Sequence, residues 1–103
     1  MPRPRKRRAC RAYGGDPVFK PRSVPMTELE VVELRLSELE ALRLCDLEGH
    51  DQEAAGARMG VSRGTVQRLL KSARTKVVGC LVSNRALHIR KGEEDAHLRS
   101  HGH

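Results

Sequence analysis

The sequence has almost no aromatic residues with which to build a core. It contains no tryptophan, and its one tyrosine and one phenylalanine, Tyr13 and Phe19, both precede the segment with the clearest helical pattern. The hydrophobic 38% of the chain must therefore provide a core of leucine, valine, alanine and methionine, which is typical of helices packed on one another. A length of 103 residues allows one small domain and its tails.

Cysteine is also scarce, and long apolar runs are absent. The three cysteines, Cys10, Cys45 and Cys80, lie far apart and form no CxxC pair. We expect Cys45 and Cys80 to be small buried hydrophobic residues rather than metal ligands or redox thiols. No apolar run of about 18 residues and no signal-peptide pattern precedes the domain. The sequence therefore predicts a reduced, cytoplasmic protein without a membrane partner.

Acidic residues are missing from residues 54–91, whereas the charges of residues 28–53 are mostly acidic. The net charge of +7 and the isoelectric point near 10.0 indicate a polyanionic partner, although charge alone does not separate DNA, RNA and anionic membrane. Because the acid-free block coincides with a helical pattern, it favours a nucleic-acid-binding surface over an ordinary solvated one.

Residues 1–25 form a basic, proline-rich arm. All five prolines lie there, which excludes a regular helix. We predict a flexible arm that follows phosphates or enters a minor groove, with a solubilising tail as the alternative. Residues 18–25 are expected to be an extended connector that docks Val18, Phe19 and Val24 on the domain. The cations of the arm are Arg3, Arg5, Lys6, Arg7, Arg8 and Arg11.

The segment that follows, LEVVELRL, alternates with a period close to two and predicts a strand over about Val31 to Leu36. A helix beginning at Thr27 is the alternative, because Glu and Leu are good helix formers. A strand needs a partner, and the other candidate is Ala86 to Arg90. We expect these two segments to pair and to join the two ends of the domain.

Three helices are predicted between these strands. Ser37, with Glu40 three residues later, forms a capping-box pattern for a first helix that ends at Gly49. Its acids should face away from a polyanion, so the helix supports the others from behind; they are Glu38, Glu40, Asp46 and Glu48.

The second and third helices are joined by a tight turn. Asp51 can cap the helix from Gln52 to about Met59, and Gly60 can supply the positive φ of the turn. Gly56, four residues before Gly60, allows the close crossing of a helix-turn-helix. Ser62 can cap a third helix that continues to about Val82, and the apolar stripe of this helix is expected to be core: Val66, Leu69, Leu70, Ala73, Val77, Cys80 and Leu81.

The other sides of the third helix carry hydrogen-bond donors for DNA. Arg63 and Gln67 lie one turn apart near its N-terminus, where such helices contact base edges. We predict that Arg68, Lys71 and Arg74 hold phosphates and that Ser62 adds to the same contact surface. The last turns, with Val77, Val78, Leu81 and Val82, either cover the strands or form a dimer seam, and the sequence leaves both open.

The stretch LSELEALRLCDLEGHDQEAAGARMGVSRGTVQRLLKSARTKV resembles the helix-turn-helix of sigma-factor region four. Three segments precede this stretch, PRPRKRR, FKP and PMTELE, and ALHI follows it. Taken together in chain order, these segments resemble a family of small prokaryotic proteins classed as domain of unknown function 134. This resemblance implies a DNA-binding protein, and some members carry an added C-terminal domain similar to dinitrogenase iron–molybdenum cofactor-binding proteins. We expect no such domain in this sequence, and hence no sensing role from one.

The fold class that follows is mainly α. It is a three-helix helix-turn-helix of the winged-helix or sigma region four-like type, with a short two-stranded β pairing from the flanking segments. This DNA-binding domain should occupy residues 26–91, followed by a disordered tail over residues 92–103. The tail histidines, His97, His101 and His103, are not expected to bind metal, because Gly102 and Ser100 weaken the helix that would align them.

No catalytic constellation or phosphate-cradling loop is found, so we expect neither an enzyme nor a cofactor. The leading hypothesis is a nucleoid-associated, sequence-specific regulator of transcription that binds double-stranded DNA as a dimer. One alternative is a sigma-like interaction module that contacts RNA polymerase through Glu38 and Glu40. Another is non-specific nucleic-acid or RNA binding through the basic arm.

Overall fold

The computed structural model describes residues 16–91. The six cations of the basic arm and the C-terminal histidines therefore lie outside the described residues. In chain order the elements are β1 (Val18–Phe19), β2 (Val31–Arg35), α1 (Leu36–Leu42) with a π-helical continuation (Arg43–Leu47), α2 (Gln52–Met59), α3 (Arg63–Ser83) and β3 (Ala86–Arg90). The predicted mainly α fold with a short β pairing is confirmed.

The predicted pairing of the two flanking segments is also confirmed. β2 and β3 are parallel, with Leu34 opposite Ile89, so the three helices together form the crossover that a parallel pair requires. β1 pairs antiparallel with the other side of β3, which gives the strand order β1-β3-β2. The sequence does not predict this third strand, because two residues are too few to show alternation.

β2 has the period-two burial expected of a strand with one covered face. Leu34 is buried and Val32 is partly buried beneath the helices, whereas Glu33 and Arg35 point outward. The alternative of a helix from Thr27 is wrong, because residues Met26–Glu28 form only a single 3-10 turn.

The start of α1 differs from the prediction. Ser37 is not the N-cap, since the helix already begins at Leu36 and Arg35 precedes it. The Arg35 backbone N–H donates to Oε1 of Glu38 at 2.9 Å, so Glu38 and not Glu40 provides the cap. The shift arises because β2 runs directly into the helix without a loop. The predicted end is confirmed by the positive φ of Gly49, although the preceding π-helical segment is not predicted.

The turn between α2 and α3 follows the sequence prediction closely. Asp51 accepts the N–H of Ala54 at 2.8 Å, and Ser62 accepts the N–H of Thr65 at 3.1 Å. Gly60 has a φ of +75°, and a Cβ on Gly56 would lie 2.7 Å from the carbonyl oxygen of Val61. Both glycines are therefore needed, one for its conformation and the other for the close approach of the backbone.

Two clusters of buried side chains form the core, and α3 contributes to both. The cluster beneath the sheet comprises Leu34, Ala73, Cys80, Leu87 and Ile89. The cluster among the helices comprises Ala41, Leu44, Ala55, Val66 and Leu70. Because α3 is fixed at both clusters, its rotation about its own axis is determined along most of its length.

The prediction that Leu81 belongs to the core is wrong. Its side chain is 75% exposed and lines a groove together with Phe19 of β1 and Leu39 and Leu42 of α1. Val78 and Val82 are also exposed, so Val77 and Cys80 are the residues of the last turns that pack in the sheet cluster. None of the helices in residues 16–91 has the length and apolar character required to cross a membrane.

The contact at Gly56 gives a direct test of the turn. Gly56→Ala should lower the free energy of unfolding by about 2–3 kcal/mol, because the added methyl group meets backbone that cannot move away as a side chain would. Gly79→Ala is the matched control, since a Cβ there approaches nothing nearer than the Arg85 guanidinium at 3.8 Å. It should raise stability by up to about 1 kcal/mol through helix propensity. Urea unfolding of both variants measures the difference, and equal effects would contradict the close-crossing interpretation.

Candidate nucleic-acid interface

The N-terminal half of α3 presents a row of exposed polar side chains. Arg63, Gln67 and Lys71 follow one another at four-residue spacing and are all exposed, whereas Val66 and Leu70, on the adjoining side of the helix, are buried. The buried pair fixes which way the row faces. The structure thus brings three of the predicted contact residues onto one continuous surface.

Arg63 and Gln67 line a polar depression together with the start of α2. Its other lining residues are Asp51, Gln52 and Glu53, and its volume is about 370 Å³. The sequence reasoning missed Gln52 and Glu53, which come directly after a predicted helix cap, because only the crossing of the two helices brings them beside Arg63. Two acids, Asp51 and Glu53, therefore line the same depression as the two predicted base-reading residues, although α3 itself has none.

Two further predicted residues are tied to the first turn of α3. The Ser62 hydroxyl, which accepts the Thr65 N–H, also lies 3.0 Å from the Thr65 hydroxyl. Arg68 Nη2 donates to Thr65 Oγ1 at 3.2 Å, which draws its guanidinium toward the N-terminal end of the helix. Ser62 and Arg68 are thus both engaged with Thr65 in the first turn of the helix.

The last predicted contact residue, Arg74, is engaged within the chain. Its Nε and Nη2 donate to the two carboxylate oxygens of Asp46 at 3.0 and 2.7 Å, a bidentate pair between α3 and the π-helical segment. The hydrogen bond from Arg74 lowers the pKa of Asp46. Sequence spacing gives no sign of this pair, because its members are 28 positions apart. The geometry makes Arg74 a link between helices as well as a surface cation.

Glu38 is bound to the side of α3 and is not on the surface. Only 1% exposed, it accepts hydrogen bonds from Ser72 Oγ at 2.5 Å and Lys76 Nζ at 2.8 Å, in addition to the Arg35 backbone N–H. Lys76 Nζ also donates to the Glu33 carbonyl oxygen at 2.8 Å. The expectation that Glu38 is a surface acid is therefore wrong, because this carboxylate joins β2 and α1 to the middle of α3.

The environment of Glu38 favours its charged form. Burial opposes ionisation, but the hydrogen bonds from Lys76, Ser72 and the Arg35 backbone outweigh it and lower the pKa of Glu38 below its usual value of 4.5. A carboxylate whose pKa is lower in the folded than in the unfolded chain stabilises the fold at every pH above the unfolded pKa. That stabilisation disappears as the pH falls through the folded pKa.

The other acids behind α3 are also paired. Arg43 forms ion pairs with Glu40 and Glu48 on the surface, and Asp46 holds Arg74. Within residues 16–91, no group of three or more His, Cys, Asp or Glu side chains could hold a metal ion.

A family model described as "Protein of unknown function DUF134" matches residues 1–97. Three similar proteins, each named UPF0251 protein, illustrate the range of relatives. The one from Moorella thermoacetica is 50% identical over 89% of this chain and 62% of its own length. The one from Pelotomaculum thermopropionicum is 48% identical over 89% of this chain and 70% of its own.

The third, from Aeromonas salmonicida, is 46% identical over 92% of this chain and 93% of its own length. The chain thus spans less than two thirds of the Moorella relative and nearly all of the Aeromonas one. No solved structure matches the chain.

The buried carboxylate provides the test of how α3 is anchored. Glu38→Gln should lower the free energy of unfolding at neutral pH by about 2–3 kcal/mol, since it leaves Lys76 without its charged partner in a mostly buried site. Glu40→Gln is the control, and it should change stability little because the pair of Glu40 with Arg43 is exposed. Urea unfolding at several pH values measures both.

The difference between wild type and Glu38→Gln should also shrink as the pH falls from the unfolded pKa through the lower folded pKa of Glu38, where the carboxylate of the folded wild type becomes protonated. A Glu38→Gln variant as stable as Glu40→Gln, or a difference that does not depend on pH, would show that Glu38 does not anchor α3.

Proposed function

The chain belongs to the DUF134 family of proteins of unknown function, and we propose that it binds double-stranded DNA sequence-specifically and regulates transcription. The observation that carries this proposal is the exposed row of Arg63, Gln67 and Lys71 on a helix whose adjoining side is buried. A preceding short helix crosses close to it at a glycine turn. That is the arrangement in which a helix-turn-helix places its second helix in a major groove.

The residue types of the row suit its proposed partner. Arginine can donate two hydrogen bonds to the O6 and N7 of guanine, and glutamine can bond the N6 and N7 of adenine. We assign these roles to Arg63 and Gln67, since they lie in the first two turns of α3. Lys71 and Arg68 then hold phosphates, and Arg74 is shared between this role and its pair with Asp46.

Glu53 and Gln52 extend the proposed reading surface. Both line the depression beside Arg63 and Gln67. A carboxylate can accept a hydrogen bond from the N4 of cytosine and repels phosphate, so Glu53 would disfavour non-specific contact with the backbone. In this proposal the protein is a nucleoid-associated cytoplasmic regulator without catalytic residues or a cofactor.

The sigma-like resemblance remains part of the proposal, but contact with RNA polymerase through the acidic helix has less support. Glu38 is buried, and Glu40, Asp46 and Glu48 are paired with arginines of the same chain. A charge-reversal variant at Glu38 would also disrupt the anchoring of α3, so loss of its activity would not identify a contact surface.

Base reading and phosphate holding should respond differently to substitution. Gln67→Ala should reduce the preference for a selected duplex over a random one by about tenfold or more, because one bidentate base contact contributes about 1–3 kcal/mol of discrimination. Lys71→Ala should weaken both duplexes equally and reduce the salt slope by about 0.9. Fluorescence anisotropy over a series of salt concentrations measures affinity and slope.

Lys91→Ala, at an exposed lysine beyond β3, is the matched control for Lys71 and should have little effect. If Gln67→Ala and Lys71→Ala behave alike on selected and random duplexes, the assignment of base reading to Gln67 is wrong.

Removing residues 1–11 separates the helix from the basic arm, whose cations lie outside the described residues. We expect weaker binding to every duplex and a smaller salt slope, because six cations are lost, with the preference for the selected duplex retained. Loss of nearly all binding, or equal affinity for RNA and for the selected duplex in the full chain, would instead favour non-specific binding through the arm. Competition with random DNA and RNA in the same titration makes the comparison.

A further inference from the structure

The C-terminal part of α3 exposes an apolar stripe that nothing in the described structure covers. Val78, Leu81 and Val82 are 55%, 75% and 75% exposed, and Phe19 of β1 is 61% exposed. On the helix, Val78 and Leu81 continue the direction of the Arg63–Lys71 row, so one face of α3 changes from cationic to apolar along its length. An apolar surface of this kind usually marks an interaction site.

An apolar groove lies directly beside the stripe. Its volume is about 520 Å³, and Leu81 and Phe19 form parts of its rim. Leu39 and Leu42 of α1 and Leu87 of β3 contribute to its walls. The same face of the molecule therefore carries both a projecting apolar ridge and a cavity able to receive one.

Two arginines beside the stripe are paired with acids, unlike the cations of the reading row. Arg74 is paired with Asp46 on one side, and Arg85 Nε donates to Glu30 Oε1 at 3.1 Å on the other. No such acid partner accompanies Arg63, Arg68 or Lys71 among the ion pairs of residues 16–91. The surface thus has little attraction for a polyanion, and an identical surface facing it would present acids to arginines.

We propose that a second copy of this chain occupies the groove, forming a two-fold symmetric dimer through the C-terminal part of α3. In a two-fold interface the same patch serves on both sides, so the ridge of each copy must fit the groove of the other. The groove walls, with Leu39, Leu42 and Leu87, add apolar area to that of the four exposed side chains, so ridge and groove belong to one interface.

This dimer would also place two reading rows on one duplex, a consequence that rests on the proposed function. Leu81 follows Gln67 by 14 residues, or about 21 Å along the helix axis. Two α3 helices that cross near Leu81 can therefore place their Gln67 side chains up to about 42 Å apart. If the two helices cross at an angle well short of antiparallel, the distance between the two Gln67 side chains falls to roughly 34 Å. This is the distance between successive major grooves on one side of DNA.

The test compares two equally exposed leucines in the full-length chain. Leu81→Glu places a charge in the proposed interface, whereas Leu47→Glu changes a leucine that is 79% exposed and is not part of the groove. Analytical ultracentrifugation over a wide concentration range should show dimers for the wild type and Leu47→Glu and monomers for Leu81→Glu. Val82→Glu should reproduce the monomer, and urea unfolding confirms that each variant is folded.

A wild-type chain that stays monomeric at every concentration would overturn the proposal, and so would a Leu81→Glu variant that dimerises as well as Leu47→Glu. DNA titrations test the proposed function separately from the dimer interface. Monomeric Leu81→Glu should bind a duplex with one selected site as the wild type does, but should lose at least about tenfold in affinity for two sites spaced one helical turn apart. A dimer that binds no DNA would support the interface and overturn the proposed function.

Discussion

The close approach of α2 and α3 at Gly56 is the constraint on which the rest of the structure depends. With no side chain at this position, the carbonyl oxygen of Val61 lies only 2.7 Å from where a Cβ would stand, and α3 begins immediately beyond. The crossing brings Ala55 against Val66 and Leu70 in one buried cluster. It thereby determines that Arg63 and Gln67 face outward and that the N-terminus of α2 lies beside them.

A buried carboxylate provides the second anchor of α3, half-way along its length. Glu38 holds Ser72 and Lys76 from the junction of β2 and α1, and Arg74 is bound to Asp46 nearby. A buried charge is costly unless every partner is in place, so this network specifies position as well as stability. The helix is consequently divided into an exposed cationic start, a middle bound to its own chain and an exposed apolar end.

Much of the fold follows from local sequence signals. Asp51, Gly60 and Ser62 mark helix ends by their own chemistry, and the alternation in β2 identifies a strand before its partner is known. The start of α1 is less well determined, because both Glu38 and Glu40 stand where a capping carboxylate could lie. Only the direct passage from strand to helix selects Glu38, and that is a property of the assembled structure.

The sequence predicts the candidate site about as far as it predicts the fold. The exposure of Arg63, Gln67 and Lys71 follows from the apolar period of α3. The pair of Arg74 with Asp46, the position of Glu53 and the exposure of Leu81 do not, since each depends on elements that are distant in sequence. The apolar period identifies which face of a helix is buried. How many turns of that face are covered depends on how far the neighbouring elements extend.

The claim that α3 reads a base sequence is tested most directly by selection of bound duplexes from a random library with the full-length chain, followed by footprinting of the enriched sequences. We expect the library to converge on one motif, with protection of guanine and adenine N7 atoms in the major groove. Retained binding without enrichment of any motif would contradict sequence reading by α3 and would leave only electrostatic attachment to the DNA backbone.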